Sequence, residues 1–266
     1  MHPVMAQPFR SEDFILNMDQ TPIFFSMVSR TTLSPIGART VHVRTSTSST
    51  MRATVSVCIS ASGRMLPPLI IFKGRPNGRI QREFIGYNQG AFYAVQDHAW
   101  MDERVMKIWI ERVLTPYITT VPQGIQPLLI LDSFRCHQMA SIIEILENVG
   151  TEVKHIPAGC TGLCQPVDVG ITKPLKDRVR HTWEDWMLEQ GIATQRFNPP
   201  SREQLSEWIV VALQSLDQRL IQKSWRHGRF SFFLEENLNP NLDADQNDAN
   251  NVANGDRNRD TNDEAL

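Results

Sequence analysis

The sequence predicts an α/β protein in which one mixed β-sheet is flanked by helices. The apolar run 127–132 opens with Pro127 and closes with Asp132, which is typical of a strand buried on both faces in the middle of a sheet. Residues 54–60 alternate β-branched and polar side chains and turn at 62–64 into a second apolar run, which predicts an antiparallel hairpin. The run 127–132 is followed by a helical pattern and another strand, and this order predicts a right-handed parallel crossover.

The period of the apolar residues and the capping signals predict the remaining elements. We predict strands at 14–19, 40–44, 54–60, 68–72, 127–132 and 152–156. We predict helices at 102–114, 138–148, 174–190 and 201–223. The last helix opens with Ser201 and Gln204, which form a capping-box pattern. A hairpin-bearing antiparallel half joined to a parallel half is the pattern of the RNase H-like fold.

Composition predicts one folded domain over 14–234, with a short leader at 1–13 and an acidic tail at 235–266. Hydrophobic residues make up 41% of the 266 residues, which is enough for one large core. No apolar run approaches the ~20 residues of a membrane span and the leader lacks the features of a secretory signal, so we expect an intracellular protein without a membrane partner. The tail has a formal net charge of −7, and because the whole chain has −2, the body has +5. We expect the tail to be disordered.

The four cysteines are few and scattered, as in proteins of reducing compartments. Cys160 and Cys164 are four positions apart, but no second Cys or His pair stands at zinc-binding spacing, so small buried thiols are the favoured interpretation. Cys136 precedes His137, yet nothing in the sequence indicates a nucleophilic cysteine.

Three aspartates stand at the ends of apolar segments and are the candidate functional residues. Asp132 ends the central strand, where ligands gather in α/β sheets, although it is equally suited to cap the helix that follows. Asp19 ends the first strand. Asp168 precedes a helix that contains Pro174, and because proline is tolerated in a first turn, we expect Asp168 in the turn before that helix or in a short preceding helix.

These segments resemble the DDE-type transposase domain of the pogo/Tigger/Jerky group, which includes centromere-binding proteins derived from it. The motifs are N-M-D-Q-T at 17–21, L-I-L-D-S-F-R-C-H at 129–137 and C-Q-P-V-D-V-G-I-T-K-P-L-K at 164–176. The resemblance covers 14–230 and implies the RNase H-like fold as well. Full-length relatives carry an N-terminal helix-turn-helix region that reads transposon ends, and we expect this chain to lack that region.

The resemblance implies a metal-dependent DNA strand-cleaving and strand-transfer domain that uses two Mg²⁺ or Mn²⁺ ions. In that arrangement Asp19 bridges both ions, Asp132 shares one with it and Asp168 holds the other. Two ions about 3.5–4 Å apart can activate a nucleophile and stabilise a leaving oxygen, and Mg²⁺ prefers oxygen ligands. His137 matches a histidine often seen in the family that orients substrate or a ligand, and a purely structural hydrogen bond is the alternative. Ser133 stands where the family usually has Asn, which leaves its supporting role open.

Other acidic and aromatic residues could also serve in catalysis or DNA binding, but we expect them to have only structural roles. Four further aspartates are assigned to helix starts or solvated faces: Asp97, Asp102, Asp177 and Asp185. Trp100 and Trp109 are expected in the core rather than as base-stacking groups.

Two basic groups are candidates for contact with DNA, the expected partner. One is a glycine-containing loop with Lys73, Arg75 and Arg79, for which a merely solvated loop is the alternative. The other lies around a helix start and consists of Lys173, Lys176, Arg178 and Arg180. We also expect a homodimer or a complex with a full-length transposase, and a nuclear location.

Two other functions compete with the endonuclease. A domesticated or remnant transposase-derived protein would keep the fold and bind nucleic acid without turnover. A small-molecule phosphohydrolase is less favoured because the sequence has no nucleotide-binding loop.

Overall fold

The computed structural model describes residues 10–27, 51–194 and 198–227. The strands are β1 Ile15–Phe24, β2 Arg52–Ser60, β3 Leu69–Lys73, β4 Phe92–Gln96, β5 Leu128–Leu131 and β6 Glu152–His155. The α-helices are α1 Arg79–Glu83, α2 Glu103–Trp109, α3 Thr115–Ile118, α4 Ala140–Asn148, α5 Thr161–Cys164, α6 Thr172–Thr194, α7 Arg202–Gln214 and α8 Gln218–His227. The predicted strand at 40–44, most of the predicted leader and the predicted tail lie outside the described residues.

The strands form one six-stranded sheet in the order β4-β3-β2-β1-β5-β6. β1, β2 and β3 are antiparallel neighbours, whereas β5 pairs parallel with β1 and with β6. An antiparallel half therefore meets a parallel half at β1. The predicted α/β class and RNase H-like mixed sheet are confirmed.

Strand β4 was missed by the sequence analysis. Its five residues pair parallel with β3 at the edge of the sheet. The apolar run 91–95 was the available signal, although only Ala94 and Val95 of β4 are buried at this edge of the sheet. The helix α1, which follows the basic loop, was also not predicted, because none of its residues is buried.

Strand β1 is longer than the predicted 14–19 and continues to Phe24. Its pairing with β5 ends at Asn17, whereas its pairing with β2 continues to the end of the strand. Beyond Asn17 β1 is therefore an edge strand, where Pro22 is tolerated although it lacks an N–H group.

Side chains of β1 alternate between two apolar layers, as the period of a strand requires. Leu16 and Met18 pack in the layer that contains α2 and α4. Ile15 and Ile23 pack in the layer that contains α6, α7 and α8. The odd-numbered position 19 therefore shares the face against which the start of α6 packs.

The predicted helix 102–114 begins as expected, because Asp102 accepts a hydrogen bond from the N–H of Val105 at 2.9 Å and caps α2. A π-helical turn, Ile110–Leu114, joins α2 to α3, so the helical segment extends further than predicted. A second π-helical turn, Val167–Ile171, runs directly into α6.

The predicted single helix 201–223 is wrong, since the chain forms α7 and α8 with a break at 215–217. The predicted capping box at Ser201 and Gln204 is present. The break forms because Asp217 accepts a hydrogen bond from the N–H of Arg219 at 2.8 Å and starts a new helix. Gln218 and Gln222 of α8 then donate hydrogen bonds to the carbonyl of Ser62 in the hairpin turn. In the part of the chain that the structure describes, no helix is both long and apolar enough to cross a membrane.

Candidate active site

Asp19 and Asp132 lie side by side at the carboxyl end of the parallel strand pair. The last registered partners of β1 and β5 are Asn17 and Ile130. Asp19 and Asp132 each come two residues later, so both carboxylates stand just beyond that pair. This is the edge of an α/β sheet at which ligands bind.

Asp168 is brought to the same edge by Asn17, a residue that the sequence analysis missed. Asn17 is fully buried in β1. Its side-chain nitrogen donates to the carbonyl of Ile130 at 3.0 Å, and its side-chain oxygen accepts from the N–H of Val167 at 3.0 Å. One amide thus ties β1 to β5 and to the π-helical turn that carries Asp168. A polar residue between Leu16 and Met18 in an otherwise apolar strand was the available signal.

Asp19 is 8% exposed, and its carboxyl group is close to that of Asp168. Burial raises the pKa of Asp19 to about 8, with further contributions from the charge of Asp168, a hydrogen bond with Asp168 and the charge of Asp132. A backbone hydrogen bond from Gln20 acts in the opposite direction. Like charges at short distance cannot all ionise without compensation, so this cluster favours a bound proton or cation.

Asp132 has the opposite electrostatics. Burial acts to raise its pKa, but the hydrogen bond and charge of His137 and the N–H of Phe134 hold the pKa below its usual value. The helix α4 begins only at Ala140, after an intervening 3₁₀ turn, so Asp132 does not cap that helix. The capping interpretation of Asp132 is wrong, and its oxygen instead accepts from the N–H of Phe134 at 3.2 Å.

His137 is fully buried behind Asp132. Its Nδ1 lies 2.5 Å from Oδ1 of Asp132, and its Nε2 lies 3.0 Å from the side-chain nitrogen of Gln20. Because the amide nitrogen of Gln20 is a donor, Nε2 accepts and Nδ1 carries the proton toward Asp132. This arrangement orients the carboxylate of Asp132. The hydroxyl of Ser133 points elsewhere and donates to the carbonyl of Ile156 at 2.6 Å, which joins the ends of β5 and β6.

The predicted DNA-binding residues fall into three environments. Lys73, Arg75 and Arg79 are exposed at the end of β3 and the start of α1. Lys176 is half-buried on α6. Burial lowers its pKa, while the charges of Asp168 and Asp19 act in the opposite direction. Lys176 therefore lies near the carboxylates and offsets their charge.

The other basic residues of α6 are partly neutralised by one carboxylate. Lys173 and Arg180 both contact Asp177, at 2.7 Å and 3.1 Å. Arg178 is half-buried on the same helix. Asp177 is thus an ion-pair partner on a helix face, while Asp97 and Asp185 are exposed.

Trp100 is 50% exposed, so its predicted place in the core is wrong, whereas Trp109 is fully buried as predicted. Trp100 lines a depression of about 250 Å³ together with Asp19 and Asp132. Trp100 precedes the first residue of α2, so it does not lie on the buried face of that helix.

The carboxylates suit a divalent cation in their chemistry. Asp19 and Asp168 offer only oxygen donors, and Mg²⁺ needs one or two carboxylates beside its waters and substrate. Across residues 10–27, 51–194 and 198–227, no three His, Cys, Asp or Glu side chains are grouped so that they could together hold a metal ion. One oxygen of Asp132 is hydrogen-bonded to His137. A divalent cation would therefore fit best between Asp19 and Asp168, with Asp132 beside it.

The four cysteines form no disulfide and no metal cluster within the described ranges. Cys58 and Cys136 are buried. The prediction that Cys160 and Cys164 are buried thiols is wrong, because both are only half-buried, and the thiol of Cys164 donates to the carbonyl of Cys160.

Curated proteins of the pogo type are similar to this chain. The pogo transposable element with KRAB domain is 33% identical over 225 residues in Mus musculus and 32% identical over 225 residues in Homo sapiens. Each match covers 83% of this chain and 36% of that protein. The CENP-B homolog protein 2 of Schizosaccharomyces pombe is 26% identical over 183 residues, which are 66% of this chain and 33% of that protein. The chain spans about a third of the length of these curated relatives.

The fold also has a solved counterpart. The Mos1 transposase paired-end complex with left transposon end contains a chain that superposes with a TM-score of 0.50 at 13% identity, over 81% of this chain and 52% of that chain. Residues 50–225 match the family model described as DDE superfamily endonuclease. The resemblance to the pogo group is confirmed, and the chain belongs to the DDE superfamily endonuclease family.

Proposed function

We propose that this domain cleaves DNA strands and transfers strand ends with the help of divalent metal ions, and that Asp19, Asp132 and Asp168 are its catalytic carboxylates. The observation that carries the proposal is the shared position of the three residues. Asp19 and Asp132 stand beyond the last registered pair of β1 and β5, and a hydrogen bond and charge interaction link Asp168 to Asp19. Three acidic residues from separate segments meet at the sheet edge where chemistry occurs in α/β folds.

Mg²⁺ or Mn²⁺ bound there would lower the pKa of an attacking hydroxyl and offset charge at the leaving oxygen. Asp19, the most buried carboxylate, is the proposed shared ligand of two ions, with Asp132 at one and Asp168 at the other. His137 holds Asp132 through Nδ1 and so fixes the direction of that carboxylate. Lys176 offsets part of the negative charge around Asp19 and Asp168.

DNA is the proposed partner because a phosphodiester requires cationic groups along its path. Lys73, Arg75 and Arg79 are exposed and suited to phosphate contact. Lys173, Arg178 and Arg180 are assigned to the same role, but Asp177 reduces the charge that Lys173 and Arg180 can offer. Such contacts position a duplex and do not read its sequence. A homodimer or a complex with a full-length transposase, acting in the nucleus, completes the proposal.

A second candidate is a transposase-derived DNA-binding protein without turnover. The observation that favours it is that, in the described part of the chain, no three carboxylate or imidazole side chains are grouped to hold a metal ion. The two candidates differ in whether the carboxylates are needed for a reaction or are only retained.

A nicking assay separates the two candidates. Supercoiled plasmid is incubated with the purified chain in Mg²⁺, in Mn²⁺ and in EDTA. If the domain is an endonuclease, we expect metal-dependent nicking that falls by orders of magnitude in Asp168→Asn. Asp185→Asn is the matched control, because Asp185 is an exposed aspartate on α6 and the change removes the same charge. DNA binding without nicking in either metal would favour the remnant.

A further inference from the structure

Trp100, which is exposed, and Arg52, which is half-buried, form a pair beside the carboxylates. The guanidinium carbon of Arg52 lies 4.9 Å from the centre of the Trp100 ring, which is a cation–π contact. Trp100 nevertheless remains 50% exposed. Because the guanidinium can cover only one face of the ring, a large aromatic surface stays open to solvent.

The backbone holds Trp100 in a fixed position. The side-chain oxygen of Gln96 accepts hydrogen bonds from the N–H of Trp100 at 3.1 Å and from the N–H of His98 at 2.7 Å. Ala99 between them has a left-handed φ of 56°, and its carbonyl accepts a hydrogen bond from the hydroxyl of Thr54 at 2.5 Å. An exposed tryptophan on a braced turn is a preorganised contact surface.

Two depressions meet at this pair. The smaller one, about 250 Å³, contains Asp19 and Asp132 and is bounded by Arg52 and Trp100. The larger one, about 660 Å³, is bounded by the same two residues. Its wall also contains the cationic or titratable side chains of Lys73, His98 and Arg202. A path therefore runs from the carboxylates across the indole ring to a basic rim.

We propose that Trp100 and Arg52 receive an unpaired nucleobase of the DNA strand next to the site of cleavage. This subsite rests on the proposed function, because the adjacent carboxylates are the reason for expecting DNA there. A base that remains paired in a duplex presents only its edges, whereas an unpaired base exposes a face that can stack on the ring. The rim of Lys73 and Arg202 suits the backbone phosphates on either side of that base.

The positive charges favour a nucleotide over an apolar peptide as the occupant. Arg52 covers the ring with a cation, and the rim adds further cationic groups. The expected substrate is thus a single-stranded or locally opened DNA segment, with the strand passing from the basic rim to the carboxylates.

The test compares single-stranded and duplex DNA in EDTA, where metal-dependent cleavage is absent. Fluorescence anisotropy measures binding of labelled dT12 and of a blunt 12-base-pair duplex to the full chain. We expect Trp100→Ala to weaken dT12 binding roughly 5- to 150-fold, the range for loss of one stacked base, and duplex binding by less than about twofold. Trp100→Phe should retain most of the dT12 affinity, and Arg52→Gln should weaken it.

Arg112→Gln is the matched control for Arg52→Gln, because Arg112 is exposed, contacts Glu111 and lies outside both depressions. If Trp100→Ala does not fold, a measurement on the wild type replaces it. A single-stranded DNA that contains 2-aminopurine as the unpaired base should lose fluorescence when it binds the protein, because that base stacks on Trp100. Equal losses for dT12 and duplex, or no change in 2-aminopurine fluorescence, would overturn the subsite.

The subsite and the endonuclease can fail separately. Asp168→Asn should abolish nicking and keep the Trp100-dependent binding of dT12. If the wild type nicks DNA and Trp100→Ala binds dT12 as well as the wild type does, the proposed subsite is wrong and the endonuclease proposal stands. Trp100-dependent binding without nicking in any metal would remove the endonuclease alone.

Discussion

The side-chain oxygen of Asn17 accepts a hydrogen bond from the backbone N–H of Val167 at 3.0 Å, across 150 positions of sequence. The same side chain donates to the carbonyl of Ile130. Asp19 lies two residues beyond Asn17, Asp132 two residues beyond Ile130, and Asp168 directly follows Val167. One buried amide therefore sets the spacing of the three candidate carboxylates.

Replacing Asn17 by alanine should destabilise the protein. The N–H of Val167 and the carbonyl of Ile130 would both lose their partner in a buried position, which costs roughly 1–3 kcal/mol each. Urea denaturation should show a loss of about 2–6 kcal/mol in the free energy of unfolding. Asn148→Ala, at an exposed position that ends α4, should change it by less than about 0.5 kcal/mol. Equal effects of the two changes would contradict the role of Asn17.

Asp132→Asn should abolish nicking while the fold persists. The asparagine oxygen can still accept from Nδ1 of His137 and from the N–H of Phe134, so the loss of stability should stay at about 1–2 kcal/mol. The lost charge should reduce metal-dependent nicking by orders of magnitude. Asp102→Asn is the control, because asparagine caps helices as well as aspartate does, and nicking should stay within about twofold of the wild type. Comparable nicking by the two variants would remove Asp132 from the reaction.

The pKa of Asp19 predicts a stability that falls with rising pH in the absence of metal. Its pKa is about 8 in the folded state, against 3.8 for an ordinary aspartate. Between these values the folded state keeps a proton that the unfolded state has lost, so unfolding becomes easier by up to about 1.4 kcal/mol for each pH unit. Above pH 8 this contribution is constant. Asp19→Asn should therefore gain stability relative to the wild type as the pH rises from 4 to 8.

Urea denaturation in EDTA at several pH values measures this difference. Parallel stability curves of the wild type and Asp19→Asn would show that Asp19 is not the group that holds the proton. Addition of Mg²⁺ at pH 8 should stabilise the wild type more than Asp19→Asn, because the variant lacks the proposed shared ligand of the two ions.

Gly170→Ala should disturb the packing of α8 on the π-helical turn that carries Asp168. A Cβ atom at Gly170 would lie 2.3 Å from Cβ and 3.0 Å from Cα of Ser224. Such overpacking costs typically about 1–3 kcal/mol, and nicking should fall with it. Gly162→Ala is the control, since nothing lies within 4 Å of a Cβ at that position. Ser224→Gly should recover part of the loss when combined with Gly170→Ala, and thermal denaturation of the two single glycine variants and the double variant measures it.

The exposed basic loop should contribute more to DNA affinity than Lys173 does. Replacing Lys73, Arg75 and Arg79 by glutamine should weaken binding of every duplex sequence alike, and it should reduce the log–log salt slope by up to about 0.9 for each charge. Lys173→Gln should have a smaller effect, because Asp177 already pairs with Lys173 at 2.7 Å. Titrations at several salt concentrations measure both. A larger slope change for Lys173→Gln would reverse the assignment.

Local patterns in the sequence predicted five of the six strands of the sheet, without β4, and singled out the three aspartates as candidates. The apolar run before Asp132 and the alternating residues of β2 are short-range signals, since a strand's side chains repeat every two positions wherever the chain lies. The capping box at Ser201 and the cap at Asp102 are equally local, because each involves residues three positions apart.

Only the tertiary structure decided which residues surround the aspartates. Asn17 acts on Val167 and Ile130, and His137 acts on Asp132 through a buried ring. The raised pKa of Asp19 depends first on its burial and then on Asp168, 149 positions away. Trp100 looked like a core residue, yet no other element covers its ring fully. Burial and charge depend on which distant segments pack together, and a local sequence pattern contains no record of that contact. The same reason explains why β1 continues past residue 19, because that end depends on pairing with β2. The break before α8 involves a local cap, Asp217 on the N–H of Arg219, which the sequence prediction of one helix overlooked.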